Sequence, residues 1–156
     1  YLEASYSDRP SLFGGDAGRE FARFIQHWQE SQISPFAITL IVTDLYDCVV
    51  PEDREYFRAS REKRLGKPLE DAVAGREKRV EGFRKLLEPL RRRVSEQAFL
   101  GGTSPTYADY VAFGPFMWAR AVTPFRLVEP GDPVHAWFQR CLDLYDGLAR
   151  RSPGFD

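Results

Sequence analysis

Apolar residues recur at steps of three and four along most of this chain, a spacing that predicts helices. In residues 16–32, Phe21, Phe24, Ile25, Trp28 and Gln32 share one helical face and Arg19, Arg23 and Gln26 another, with Asp16 as a reasonable cap. Pro35 should kink or interrupt this helix, because its nitrogen cannot donate and its ring crowds the preceding turn. The run Phe36-Ala37-Ile38-Thr39-Leu40-Ile41-Val42-Thr43 is almost continuously apolar and β-branched, which by propensity alone reads as a buried strand. No neighbouring segment offers it a partner strand.

Pro51 punctuates the chain, residues 52–65 read as a short, highly charged helix, and Gly66-Lys67-Pro68 breaks it. Leu69, Val73, Val80, Phe83, Leu87, Leu90 and Val94 then form a long seam in which Arg76 fills one slot. That arginine either lays its alkyl stem on apolar surface with its head in water, or is buried with a carboxylate partner. Pro89 should bend the helix. Residues 110–122 carry Phe113, Gly114, Pro115, Phe116, Met117 and Trp118, apolar nearly all round, as a buried central helix would be. Pro124, Pro130 and Pro133 bracket a loop. Residues 134–148 give a last helix with Trp137, Phe138, Cys141, Leu142 and Tyr145 inward, before an irregular tail from Ser152. The fold class expected is all-α, a bundle of about five helices.

A length of 156 residues suits one domain with a real core, and 43% hydrophobic with 29% charged residues excludes a disordered chain. A net charge of −1 argues against a general polyanion partner. Residues 52–98 hold fourteen Lys or Arg against ten Asp or Glu, which reads as a solvated face laced with ion pairs rather than a nucleic-acid patch. Cys48 and Cys141 are too far apart in sequence to form a metal-spaced or redox pair, so a reducing cytoplasm is the simplest setting. No apolar run reaches the ~20 residues needed to span a membrane. His27 and His135 read as structural or surface residues, and Asp44 and Asp47 as polar surface. Gly14-Gly15 and Gly101-Gly102 read as turn glycines. No metal set and no catalytic residue is assigned.

One stretch says more. In Phe99-Leu100-Gly101-Gly102-Thr103-Ser104-Pro105-Thr106-Tyr107-Ala108-Asp109-Tyr110, two glycines free to take positive φ end one element. A capping box then opens the next, Thr106 accepting from the amide of residue 109 while Asp109 reaches back to the amide of Thr106. In this order the stretch resembles the motif that opens the central core helix in the C-terminal domain of glutathione transferases. Tyr1-Leu2-Glu3 and Ser7-Asp8-Arg9-Pro10-Ser11-Leu12-Phe13-Gly14-Gly15 look similar to the end of that family's thioredoxin-like domain and its interdomain linker.

The resemblance implies a division at residues 1–15 and 16–156, and one long bent helix where propensity reads a strand at residues 36–43. It implies glutathione as co-substrate, bound mainly by a thioredoxin-like domain outside this chain, which also carries the thiol-activating residue. The chain by itself should then be inactive. The helical domain would supply a hydrophobic pocket for an aromatic acceptor, and Phe36, Leu40, Pro115, Trp118 and Phe125 are the expected wall. Thr106 and Asp109 are structural, and a homodimer is the usual arrangement. Arg61-Glu62-Lys63-Arg64-Leu65-Gly66-Lys67-Pro68-Leu69-Glu70, Phe116-Met117-Trp118-Ala119-Arg120 and the linker resemble the β-etherase branch, whose members use glutathione to cleave aryl ethers. The alternative is a noncatalytic helical docking domain of the same fold, for which residues 52–67 could serve as the partner face.

Overall fold

In the computed structural model, which describes residues 1–155 apart from the side chain of Leu2, the described residues form helices and turns with no strand. One turn, α1 (Leu2–Ser5), precedes α2 (Asp16–Trp28), α3 (Ser34–Asp47), α4 (Arg54–Leu65), α5 (Leu69–Val73), α6 (Arg76–Leu86), α7 (Glu88–Glu96), α8 (Tyr107–Val122) and α9 (Pro133–Gly147). The apolar run at residues 36–43 is helical, as the resemblance implied. Its residues Ala37, Leu40, Ile41 and Val42 are fully buried, so the core rather than β propensity decides their conformation.

Pro35 does not interrupt the helix. A π-helical turn, Gln29–Ile33, joins α2 directly to α3 and takes up the proline's missing donor and the crowding of its ring. Gly15, not Asp16, is the N-cap of α2; Asp16 sits inside the first turn, where its charge suits the helix dipole. The buried stripe of α2 is Ala22 and Ile25, continuing to Ile33. Phe21 and Phe24 lie on the flank, 38% and 66% exposed, whereas Ile25 and Trp28 of the same predicted face do meet the core.

The long seam starting at Leu69 is divided. Ala74 turns extended and Gly75 left-handed between α5 and α6, and Leu87 marks the bend ahead of Pro89. Arg79 bridges the first break, its Nη1 donating to the Ala72 carbonyl at 2.6 Å and its Nη2 to Thr39 Oγ1 at 2.5 Å. Arg76 is half-buried with a carboxylate partner: its Nη1 lies 2.5 Å from Asp44 Oδ2 and also donates to the Leu40 carbonyl. Asp44 therefore ties α3 to α6 as a half-buried ion-pair partner instead of standing solvated on the surface.

Helix α8 runs through the centre, packed against α2, α3 and α9. Ala108, Ala112, Phe116 and Ala119 face the main core with Trp137 and Cys141 of α9. A smaller cluster of Val42, Leu69 and Ala72 joins α3 to α5. Tyr145, expected inward, is 65% exposed, because the backbone leaves helical geometry at Leu144 and turns left-handed at Tyr145 and Asp146.

Candidate functional site

A buried polar assembly stands at the start of α8. Thr106 and Asp109 form a capping box, and the Asp109 side chain is completely buried. Its Oδ2 accepts from the Thr106 amide at 2.9 Å and from Thr106 Oγ1 at 3.2 Å. Its Oδ1 accepts from the Leu100 amide at 2.8 Å and from the indole Nε1 of Trp137 at 3.0 Å. One carboxylate thus ties the preceding loop, α8 and α9 together with neutral donors. Gly102 takes a φ of 128°, whereas Gly101 has no positive φ: a Cβ there would run into the Thr106 side chain. Gly101 is a matter of space and Gly102 one of backbone conformation.

The linker docks beside this assembly. Glu3 Oε1 accepts from the Leu12 amide at 2.5 Å, and the Leu12 carbonyl accepts from the Tyr107 amide at 2.7 Å. Phe13 packs on Tyr107 with ring centroids 5.2 Å apart, and the Arg19 guanidinium covers Phe13. The first residues of the chain are therefore held at the N-terminal end of α8.

The five residues expected to wall an acceptor pocket occupy different depths. Phe36 is half-buried, edge-on to Phe83 at 5.9 Å, with the guanidinium of Arg79 over its ring. Phe125 is half-buried beneath the guanidinium of Arg76, 4.6 Å from the ring centre. Arg76 and Arg79 are three residues apart on α6, so Phe36 and Phe125 sit on arginines of one helix edge. Leu40 is fully buried and Pro115 buried within α8, both behind the surface, while Trp118 is half-buried against the core.

Of the five, only Phe125 lines the apolar cavity at the other end of α8. That cavity has a volume of about 80 Å³ and is bounded by Phe116, Ala119, Arg120, residues 123–128, Phe138 and the tail residue Phe155. His135 and Gln139 line it too, their Nε2 atoms 3.4 Å apart on successive turns of α9. Sequence reading placed His135 among surface or structural histidines. Its i, i+4 spacing from Gln139 was the available signal, but the loop and tail that complete the cavity are brought there by the fold.

The side chains with shifted titration here are not poised nucleophiles. Burial, reinforced by the neighbouring Asp109 charge, pushes the Cys141 thiol up to about 12, so it remains protonated at neutral pH. Burial and then the hydrogen bond to the Tyr145 hydroxyl at 2.5 Å hold the Tyr110 phenol above its ordinary range. What the arrangement offers is aromatic wall area and fixed basic groups. No helix of the described residues is long and apolar enough to cross a membrane.

Comparison with solved structures shows the same architecture. The glutathione transferase GSTFuA3 from Phanerochaete chrysosporium aligns at 25% identity and a TM-score of 0.67, covering 94% of this chain and 56% of that one. GSTFuA2 from the same fungus aligns at 23% identity and a TM-score of 0.57, covering 94% and 57%. This chain thus spans a little over half the length of those proteins. The family model described as glutathione S-transferase, C-terminal domain, matches residues 21–142, from the second turn of α2 into α9. The chain belongs to the glutathione S-transferase C-terminal domain family.

Proposed function

We propose that this chain is the acceptor-binding half of a glutathione transferase, joined through residues 1–15 to a thioredoxin-like half that binds glutathione and activates its thiol. The carrying observation is the docking of the linker on the Asp109 assembly, through the Tyr107 amide and Leu12 carbonyl at 2.7 Å. It holds the upstream direction of the chain against the end of α2 and α8, where Phe13, Phe21 and Tyr107 present aromatic surface. Phe36, Trp118 and Phe125 carry the solvent-reaching part of the acceptor wall, with Leu40 and Pro115 as the rigid layer behind them. Such a wall desolvates an apolar aryl electrophile, while the reacting thiol comes from the glutathione half. In this reading the enzyme is a cytoplasmic homodimer.

The short stretches shared with the β-etherase branch favour an aryl ether as acceptor, with glutathione displacing a phenol. The test restores the upstream half and assays glutathione-dependent phenol release from a β-aryl ether ketone, with a chlorinated aromatic acceptor alongside. Ether cleavage supports the transferase and the branch. Conjugation of the chlorinated acceptor alone keeps the transferase and removes the etherase. Inactivity on both, with no glutathione binding, moves the reading to a helical docking domain. The 156-residue chain alone is expected to show no turnover with either acceptor.

A further inference from the structure

Helix α4 holds its charges on two different faces. Arg58 pairs with Glu62 at 3.0 Å and with Glu70 at 2.8 Å, and the guanidinium of Arg61 covers the ring of Phe57. Those groups are satisfied within the chain. The outer face is different. Glu52, in the 3-10 turn Pro51–Asp53 that leads into α4, Glu55, Tyr56, Ala59 and Lys63 are all exposed and fall at the three- and four-residue spacing of one helical stripe. Lys67, just past the helix end, is exposed as well. Among the described residues none of Glu52, Glu55, Lys63 and Lys67 takes an ion pair.

The stripe is ordered: acidic at its start, Tyr56 and Ala59 in the middle, basic at its end. The helix dipole favours acid in the first turn and base in the last, which accounts for the two ends. It does not account for a tyrosine 77% exposed between them. Glu55 and Lys63 each stand four positions from Ala59, while Glu52 stands seven before it and Lys67 eight after it. A stripe of this kind is complementary to itself run in the opposite direction.

We propose that the outer face of α4 is a contact between two copies of this chain, packed antiparallel about a two-fold axis at Ala59. Glu55 then faces the partner's Lys63, and Lys63 the partner's Glu55, each ~6 Å along the helix from the axis. Glu52 comes beside the partner's Lys67. Ala59 carries only a methyl group, so the two helix axes can approach to ~8 Å. Each Tyr56 ring covers the gap between the partner's Ala59 and the partner's Lys63, and the opposed helix dipoles add to the attraction. The contact uses no residue of the acceptor wall, the linker or the cavity, and needs no upstream half. Its extent is small: the 12 residues of α4 span about 18 Å, less than a standard interface of ~1,200 Å² requires. The dimer is therefore weak, with a Kd on the order of 0.1 mM.

Sedimentation equilibrium of the 156-residue chain tests the contact. A reversible dimer is expected at low salt, weakened about fivefold as salt rises to roughly 0.5 M. Glu55→Lys and Lys63→Glu should each weaken it about tenfold, because the symmetry turns two attractive pairs into two repulsive ones. An equimolar mixture of the two variants should associate as the unaltered chain does, since each introduced charge then meets its opposite. Helix α4 has no buried residue, so both variants should fold, which circular dichroism verifies. A chain that stays monomeric at low salt up to about 1 mM, ten times the expected Kd, overturns the proposal. So does a dimer that neither variant weakens, which sits on another face, and so does a mixture that fails to recover association.

Discussion

The start of α8 and the α4–α5 hairpin both concentrate charge, and they use it in opposite ways. At α8 a single carboxylate, Asp109, is completely buried and accepts four hydrogen bonds from neutral donors in three segments. In the hairpin, Arg58 spans Glu62 at 3.0 Å and Glu70 at 2.8 Å and covers the ring of Tyr46, all close to solvent. Removing the first leaves buried donors without acceptors; removing the second returns solvated groups to water. Number of charged contacts is thus a poor guide to importance, and cost of desolvation a good one.

The largest effect should come from Asp109→Ala. It strips acceptors from the Leu100 amide, the Thr106 amide and the Trp137 indole, at a cost of roughly 3–5 kcal/mol. A thermal melt should fall by about 10 °C or more for a domain of this size; an unchanged melt would refute the central role of the carboxylate. Trp137→Phe keeps most of the packing but removes one donor, so a loss of about 1–3 kcal/mol is expected by denaturant titration. Asp44→Ala breaks the half-buried pair with Arg76, whose partners are 21% and 23% exposed, and about 1 kcal/mol should be lost. A larger loss there would place that pair with Asp109 rather than with the hairpin.

Glu70→Gln should leave the melt essentially unchanged. The pH dependence sharpens the same contrast. The Arg58 hydrogen bond holds the Glu70 carboxyl below its usual 4.5. A lowered folded pKa means that the pair's contribution is present above the ordinary carboxylate range and lost as pH falls through the lower folded value. A carboxyl NMR titration should therefore place Glu70 below a solvent-exposed glutamate, and an ordinary midpoint would show the pair to be absent in solution. The smallest and simplest comparison uses the two cysteines. Exposed Cys48 should alkylate at neutral pH while buried Cys141 does not, until the chain is unfolded.

Much of the architecture was legible in residue spacing. The breaks at Gly66-Lys67-Pro68, the glycine stop after Leu100 and the Thr106–Asp109 box are local chemistry, and the helices begin and end around them. Spacing failed where a helix has two apolar stripes. On α2 Ile25 and Trp28 of the predicted face meet the core, but Ala22 joins them where the facing α8 comes close, leaving the bulkier Phe21 and Phe24 outside. Tyr145 was likewise misplaced because the helix loses its geometry one residue earlier. The break at Ala74 and Gly75 was passed over although a glycine stands at it, and Arg79 bridges it by donating to Ala72 and Thr39.

The site was less legible. Phe36, Leu40, Pro115, Trp118 and Phe125 are all apolar and all plausible walls, yet two of them lie fully behind the surface. Depth depends on which neighbour covers a residue, and that neighbour is distant in sequence. The cavity was missed altogether because its parts come from α8, the following loop, α9 and the tail.

By itself, the sequence determined most of the helices and the capping box that opens α8, since these follow from near-neighbour chemistry and periodicity, while the helix at residues 36–43 rested on the family resemblance. Only the tertiary structure decided that Asp109 reaches the indole of Trp137, that Arg76 finds Asp44, and that Phe155 and Phe116 line one cavity. Those pairings bring together residues 28, 32 and 39 positions apart, and long-range partners are selected by how whole helices pack, not by any pattern within one of them.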